Sequence, residues 1–125
     1  MNDIDRFKYS FQNALIGLKT ALGTQRNLRI HLLVGLLIII FSVILKVTAI
    51  EFVLILLTIL IVLVTEVFNT AIEFTIDLVS PEFNHLAKKV KDISAAGVLI
   101  SAIIAALVGL IILGPKIYFV FSMFL

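Results

Sequence analysis

Apolar residues in this chain come in long blocks separated by short polar breaks. Residues 30–46 form the first block, interrupted only by His31, Gly35 and Ser42 before Lys46. Residues 51–79 form the second, fully apolar from Phe52 to Val64 except for Thr58 and then carrying polar groups to its end. Residues 93–113 form the third, closed by Gly114-Pro115. A bilayer crossing takes about 20 apolar residues, and the first block reaches that length by borrowing flanking turns. Three transmembrane helices follow from this pattern. Ser80-Pro81 is a stop signal for the second, and residues 82–92 read as a polar connector. Beyond Pro115, Tyr118, Phe119, Phe121 and Phe124 suit the membrane interface.

Residues 4–22 follow another rhythm. Ile4, Phe7, Phe11, Leu15, Leu18 and Leu22 recur at spacings of three and four, with Asp5, Arg6, Lys8, Gln12, Asn13 and Lys19 between them. This is the pattern of an amphipathic helix lying in a membrane surface. The chain therefore reads as one all-α membrane domain over residues 1–125: a surface helix and juxtamembrane segment in 1–29, then three spans.

Composition agrees. Apolar residues make up 62% of the chain and charged residues 14%, well below the roughly 25% charged of soluble domains. A net charge of +2 is too small to argue for a nucleic-acid partner, and with no cysteine there are no disulfides or thiolate metal sites. Eight of the ten basic residues lie in residues 1–29 and 82–92. By the positive-inside rule these regions face the cytoplasm. The N-terminus is expected inside and the C-terminus outside, in a bacterial cytoplasmic (inner) membrane.

Polar groups inside the second span change the picture from topology to chemistry. On an α-helix, Glu66, Asn69, Glu73 and Asp77 fall within an arc of about 80°. A carboxylate at mid-bilayer costs about 2.5–3.5 kcal/mol on the most lenient scale. Three on one stripe need a metal, a charged substrate or water to face, and the stripe lies at the cytoplasmic end. The third span presents Gly97, Ser101, Ala105 and Gly109 every four residues, a face for close helix packing. Three helices enclose little space, which points to an oligomer.

No phosphate-cradling GxxxxGK[ST] loop, GxGxxG or HExxH is present. Phosphoryl transfer nevertheless needs few parts: a divalent metal on phosphate oxygens, a cation for the phosphates, and a base for the acceptor hydroxyl. Magnesium takes only one or two protein carboxylates, a role suited to Glu73. Lys91 suits phosphate contact, Glu66 suits the base, and Asn69 can orient either partner. Structural readings compete with these: Glu66 as a helix–helix hydrogen-bonding acid, and Lys91-Asp92 as an interfacial salt bridge. Lys88 and Lys89 read as topology determinants, and His31 and His85 as interfacial side chains. A different class, a small proton- or cation-coupled transporter, would want a single acid near mid-bilayer.

The run Glu66-Val67-Phe68-Asn69-Thr70-Ala71-Ile72-Glu73, with Asp77 beyond it, resembles the ExxN[ST]AIExxxD signature of the prokaryotic diacylglycerol kinase/undecaprenol kinase family. Ala87-Lys88-Lys89-Val90-Lys91-Asp92 and Ser94-Ala95-Ala96-Gly97-Val98-Leu99 resemble its second block, AKxxKDxAAGAVL. Arg26-Asn27-Leu28-Arg29-Ile30-His31 resembles its ERNxxxH block. The resemblance implies an integral membrane kinase that moves the γ-phosphoryl of ATP, with Mg2+, onto a lipid alcohol. It also implies a homotrimer with active sites shared between subunits. By position, Glu66 would be the general base and Asn69 would line the site. Glu73 would bind metal and ATP, with Asp77 beside it, while Lys91 and Asp92 would hold the nucleotide. Arg6, Asn13, Glu82, Phe83 and Asn84 fall at ATP contacts. Gln25 stands where the family usually has a glutamate sharing the metal with the Glu73 position, so weakened but retained magnesium binding is expected. Details of the blocks favour undecaprenol over diacylglycerol as the acceptor.

Overall fold

A computed structural model describes residues 2–123, so Phe124 lies outside the described residues. Four helices follow one another: α1 (Asp3–Thr24), α2 (Arg26–Ile44), α3 (Ala49–Val79) and α4 (His85–Ser122). The last three are long and apolar enough to cross a membrane.

Side chains cap the starts of α1, α3 and α4. Asn2 Oδ1 accepts from the Asp5 N–H at 2.8 Å, and Asp3 and Asp5 place negative charge in the first turn of α1, where the helix dipole favours it. Thr48 and Glu51 form a reciprocal capping box at α3. Asn84 Oδ1 accepts from the N–H groups of Leu86 (2.8 Å) and Ala87 (3.3 Å) to start α4.

The connections are short. Only Gln25 separates α1 from α2, in extended conformation. Arg29 donates to the Leu22 (2.9 Å) and Gly23 (3.1 Å) carbonyls, satisfying acceptors that the end of α1 leaves open. At the end of α2, Lys46 adopts a left-handed backbone with φ 51°. Its N–H donates to Val43 O, and that of Val47 donates to Ser42 O, the paired bonds of a Schellman motif.

α3 packs chiefly on α4 and secondarily on α2. A small core forms at the capping-box end of α3, where Ile55, Ile112 and Leu113 are buried among Ile38, Leu45, Val47, Ile59 and Val108. Gly35 lets α2 approach α3: a Cβ there would lie 2.8 Å from Ile59 Cγ2. Most other large apolar side chains are exposed on the single chain. That is the expected state of a protein whose outer surface meets lipid, where apolar side chains need no protein cover. The apolar residues of α1 from Ile4 to Leu18 are likewise uncovered, as a surface-lying helix requires.

Two helix limits differ from the sequence pattern. α4 continues through Gly114 and Pro115 to Ser122. A proline removes one N–H, a loss that apolar membrane helices tolerate, and Lys116 just beyond it is held by Glu51 at 3.1 Å. At its other end α4 begins at His85, so Lys88 to Asp92 lie on a helix rather than in a connector. The Asn84 cap explains that early start.

Candidate functional site

Opposite the apolar core, the helices bring together the polar groups of α3. Glu66 and Asn69 are buried, Glu73 is half-buried and Asp77 is exposed, so the stripe runs from the interior of the bundle to its rim. Burying a carboxylate is costly without a partner. The partner of Glu66 comes from α2: His31 Nε2 lies 3.3 Å from Glu66 Oε1.

One turn and two turns further along, the chemistry is that of amides around an acid. Asn69 Nδ2 donates to Glu73 Oε1 at 3.3 Å. Gln25 Nε2 donates to Glu73 Oε2 at 3.2 Å. Gln25 reaches Glu73 because it is the elbow between α1 and α2, where the backbone leaves helical geometry. Asn69 Oδ1 is buried and has no hydrogen-bond partner among the described residues. No group of three His, Cys, Asp or Glu side chains suited to a metal occurs among the described residues.

Asp77 and Lys91 form an ion pair between α3 and α4. Asp92 does not share it; its partner is Lys88, 2.6 Å away and one turn earlier on α4. Both pairs are largely solvated, and such pairs contribute at most about 1 kcal/mol. A phosphate could displace Asp77 from Lys91 at little cost. Beneath Glu66, Thr65 and Ser101 share a hydrogen bond of 2.9 Å that pins α3 to α4. Ser101 thereby serves helix packing, as its place in the small-residue face suggests.

The remaining expected nucleotide contacts sit apart. Arg6 and Asn13 are exposed on α1. Glu82, Phe83 and Asn84 occupy the α3–α4 loop, where Asn84 caps α4 and the Phe83 ring stands edge-on to His85 at 5.1 Å. Among the described residues no hydrogen bond or ion pair joins these side chains to Glu66, Asn69, Glu73 or Lys91. His31 reads from the sequence as an interfacial side chain, and the structure places it against Glu66. The signal was available, since His31 closes the ERNxxxH-like block.

Residues 12–113 match the family described as prokaryotic diacylglycerol kinase. The chain belongs to that family. Its curated relatives include an undecaprenol kinase of Bacillus subtilis, 35% identical over 92% of this chain and 94% of that protein. A diacylglycerol kinase of Synechocystis sp. is 40% identical over 85% of this chain and 61% of that protein. The diacylglycerol kinase of Escherichia coli is 32% identical over 78% of this chain and 80% of that protein. As a member of the prokaryotic diacylglycerol kinase family the protein is a lipid kinase, with a lipid and ATP as its substrates.

Proposed function

We propose that this protein transfers the γ-phosphoryl of ATP to the hydroxyl of undecaprenol, using magnesium. The observation that carries the chemistry is Glu66: a carboxylate 3% exposed at a helix interface, paired on one side only by His31. Such an acid suits taking the proton of a lipid hydroxyl as the O–P bond forms. Lys91 suits the nucleotide phosphates, and Asp92 and Asp77 keep it and Lys88 in place until nucleotide arrives.

The donor set around Glu73 fits magnesium. A carboxylate stands between two side-chain amides, and one amide oxygen, Asn69 Oδ1, is buried without a partner. Magnesium takes oxygen ligands, keeps several waters and needs few carboxylates. Glu73 and Gln25 would hold it, Gln25 presenting its amide oxygen in place of the N–H it now donates. When bound, the ion neutralises charge on the phosphates. Position 25 supplies no charge of its own, so Gln25→Glu is expected to lower the magnesium concentration for half-maximal rate severalfold. An unchanged magnesium dependence removes Gln25 from this role.

The relative that aligns almost end to end with this chain is an undecaprenol kinase, which supports the prenyl alcohol as acceptor; diacylglycerol is the second reading, supported by the relatives of that name. Purified protein assayed with both lipids side by side tests this. Higher kcat/KM for undecaprenol is expected, and a preference for diacylglycerol overturns the assignment. We further infer a homotrimer. In its favour are the open surface at Gly97, where an added Cβ meets nothing, and the separation of Arg6, Asn13 and the 82–84 loop from Glu73, which a neighbouring subunit would close. The basic residues favour an active site and N-terminus on the cytoplasmic side and an external C-terminus.

A further inference from the structure

Glu66 has one charged contact, and it comes from another helix. His31 Nε2 lies 3.3 Å from Glu66 Oε1, and among the described residues no other side chain pairs with this carboxylate. The two partners differ in access: Glu66 is 3% exposed and His31 is 29% exposed. Arg29 is engaged with the carbonyls that end α1 and Lys91 with Asp77. Thr70, one turn from Glu66, donates to the Glu66 backbone carbonyl and not to its carboxylate.

We propose that His31 is the positioning residue of Glu66 and the outlet for its proton. This rests on the reading of Glu66 as general base. In the tautomer with its hydrogen on Nδ1, the imidazole sets the lone pair of Nε2 against one carboxylate oxygen and leaves the other to face the acceptor. In the transfer the lipid O–H bond breaks and its oxygen bonds the γ-phosphorus. The bond from that phosphorus to the leaving ADP oxygen breaks with its electron pair. The proton passes to Glu66 and then to Nε2 of His31, the more exposed of the two side chains; the imidazolium so formed pairs with the restored carboxylate and gives up its Nδ1 proton. A base enclosed among helices needs a neighbouring group to pass its proton on before the next turnover.

The test is steady-state kinetics of His31→Ala in detergent micelles with undecaprenol, with and without added imidazole. A fall in kcat of about tenfold or more is expected, within the reach of acid–base assistance, while KM for magnesium–ATP stays within about twofold. Imidazole should restore part of the kcat of His31→Ala, an effect that a packing role does not produce. The double variant Glu66→Gln/His31→Ala should be no slower than Glu66→Gln alone, because residues acting as one unit are not additive. His31→Gln fills the site and serves if the alanine variant does not fold; it too should lose kcat. A kcat within about twofold of wild type in the variant measured overturns the proposal, as does a His31→Ala loss that imidazole leaves untouched. If Glu66→Gln is inactive while His31→Ala is normal, only the role of His31 fails. If Glu66→Gln keeps the wild-type rate, the base reading itself fails.

Discussion

The two ends of the α2–α3–α4 bundle are built on opposite principles. At one end, Ile55, Ile112 and Leu113 are buried together, the α2–α3 turn closes with a Schellman motif, and Glu51 is satisfied by Thr48 and Lys116. At the other end, among the described residues, stand a buried carboxylate with a single charged contact, a half-buried carboxylate between two amides, and a buried amide oxygen with no partner. An apolar membrane core tolerates such groups only at a cost. The difference teaches where the protein places its packed apolar core and where it leaves polar groups incompletely paired.

If that division holds, mutations at the two ends separate stability from activity. The largest stability effect is expected at the close approach of α2 and α3. Gly35→Val forces side-chain atoms against Ile59, and overpacking of this kind costs about 1–3 kcal/mol. It should lower the unfolding midpoint in micelles, and an unchanged midpoint would show that the helices separate freely there. Lys91→Ala acts at the other end. Its ion pair with Asp77 is solvated, so folding should be nearly unaffected. Its loss should raise KM for ATP about tenfold, equivalent to about 1.4 kcal/mol; a change in lipid KM alone would move Lys91 out of the nucleotide site. Smallest is Lys46→Gly. A left-handed backbone is costly for a residue with a Cβ, so glycine should stabilise the α2–α3 turn by up to about 1 kcal/mol without altering turnover. Altered turnover would couple the two ends.

Sequence patterning made much of this arrangement legible. Block hydrophobicity announces three spans, and the spacing of Ile4 to Leu22 announces the amphipathic α1. The 3.6-residue period puts Glu66, Asn69 and Glu73 on one face, as found. Other features depend on tertiary contacts that no local pattern carries. Gly114-Pro115 reads as a helix stop because proline ends helices in water, whereas here the helix continues past it and Lys116 finds Glu51 across the bundle. Gln25 was readable as a departure from the family glutamate, but its hydrogen bond to Glu73 depends on a one-residue elbow with no turn signal of its own. His31 looked like an interfacial side chain because its partner is 35 residues away in sequence. Lys91 and Asp92 are neighbours in sequence and suggested a pair. On a helix, adjacent residues diverge by about 100°, so Lys91 turns to Asp77 and Asp92 to Lys88.

The most direct test of the division is Glu66→Gln, which removes the charge at the buried end while keeping its shape. Lipid-dependent ATP turnover in micelles should fall by at least about a hundredfold, as expected for loss of a general base, with the unfolding midpoint and the oligomeric state unchanged. Turnover at the wild-type rate, or a loss matched by collapse of the fold, would contradict the account.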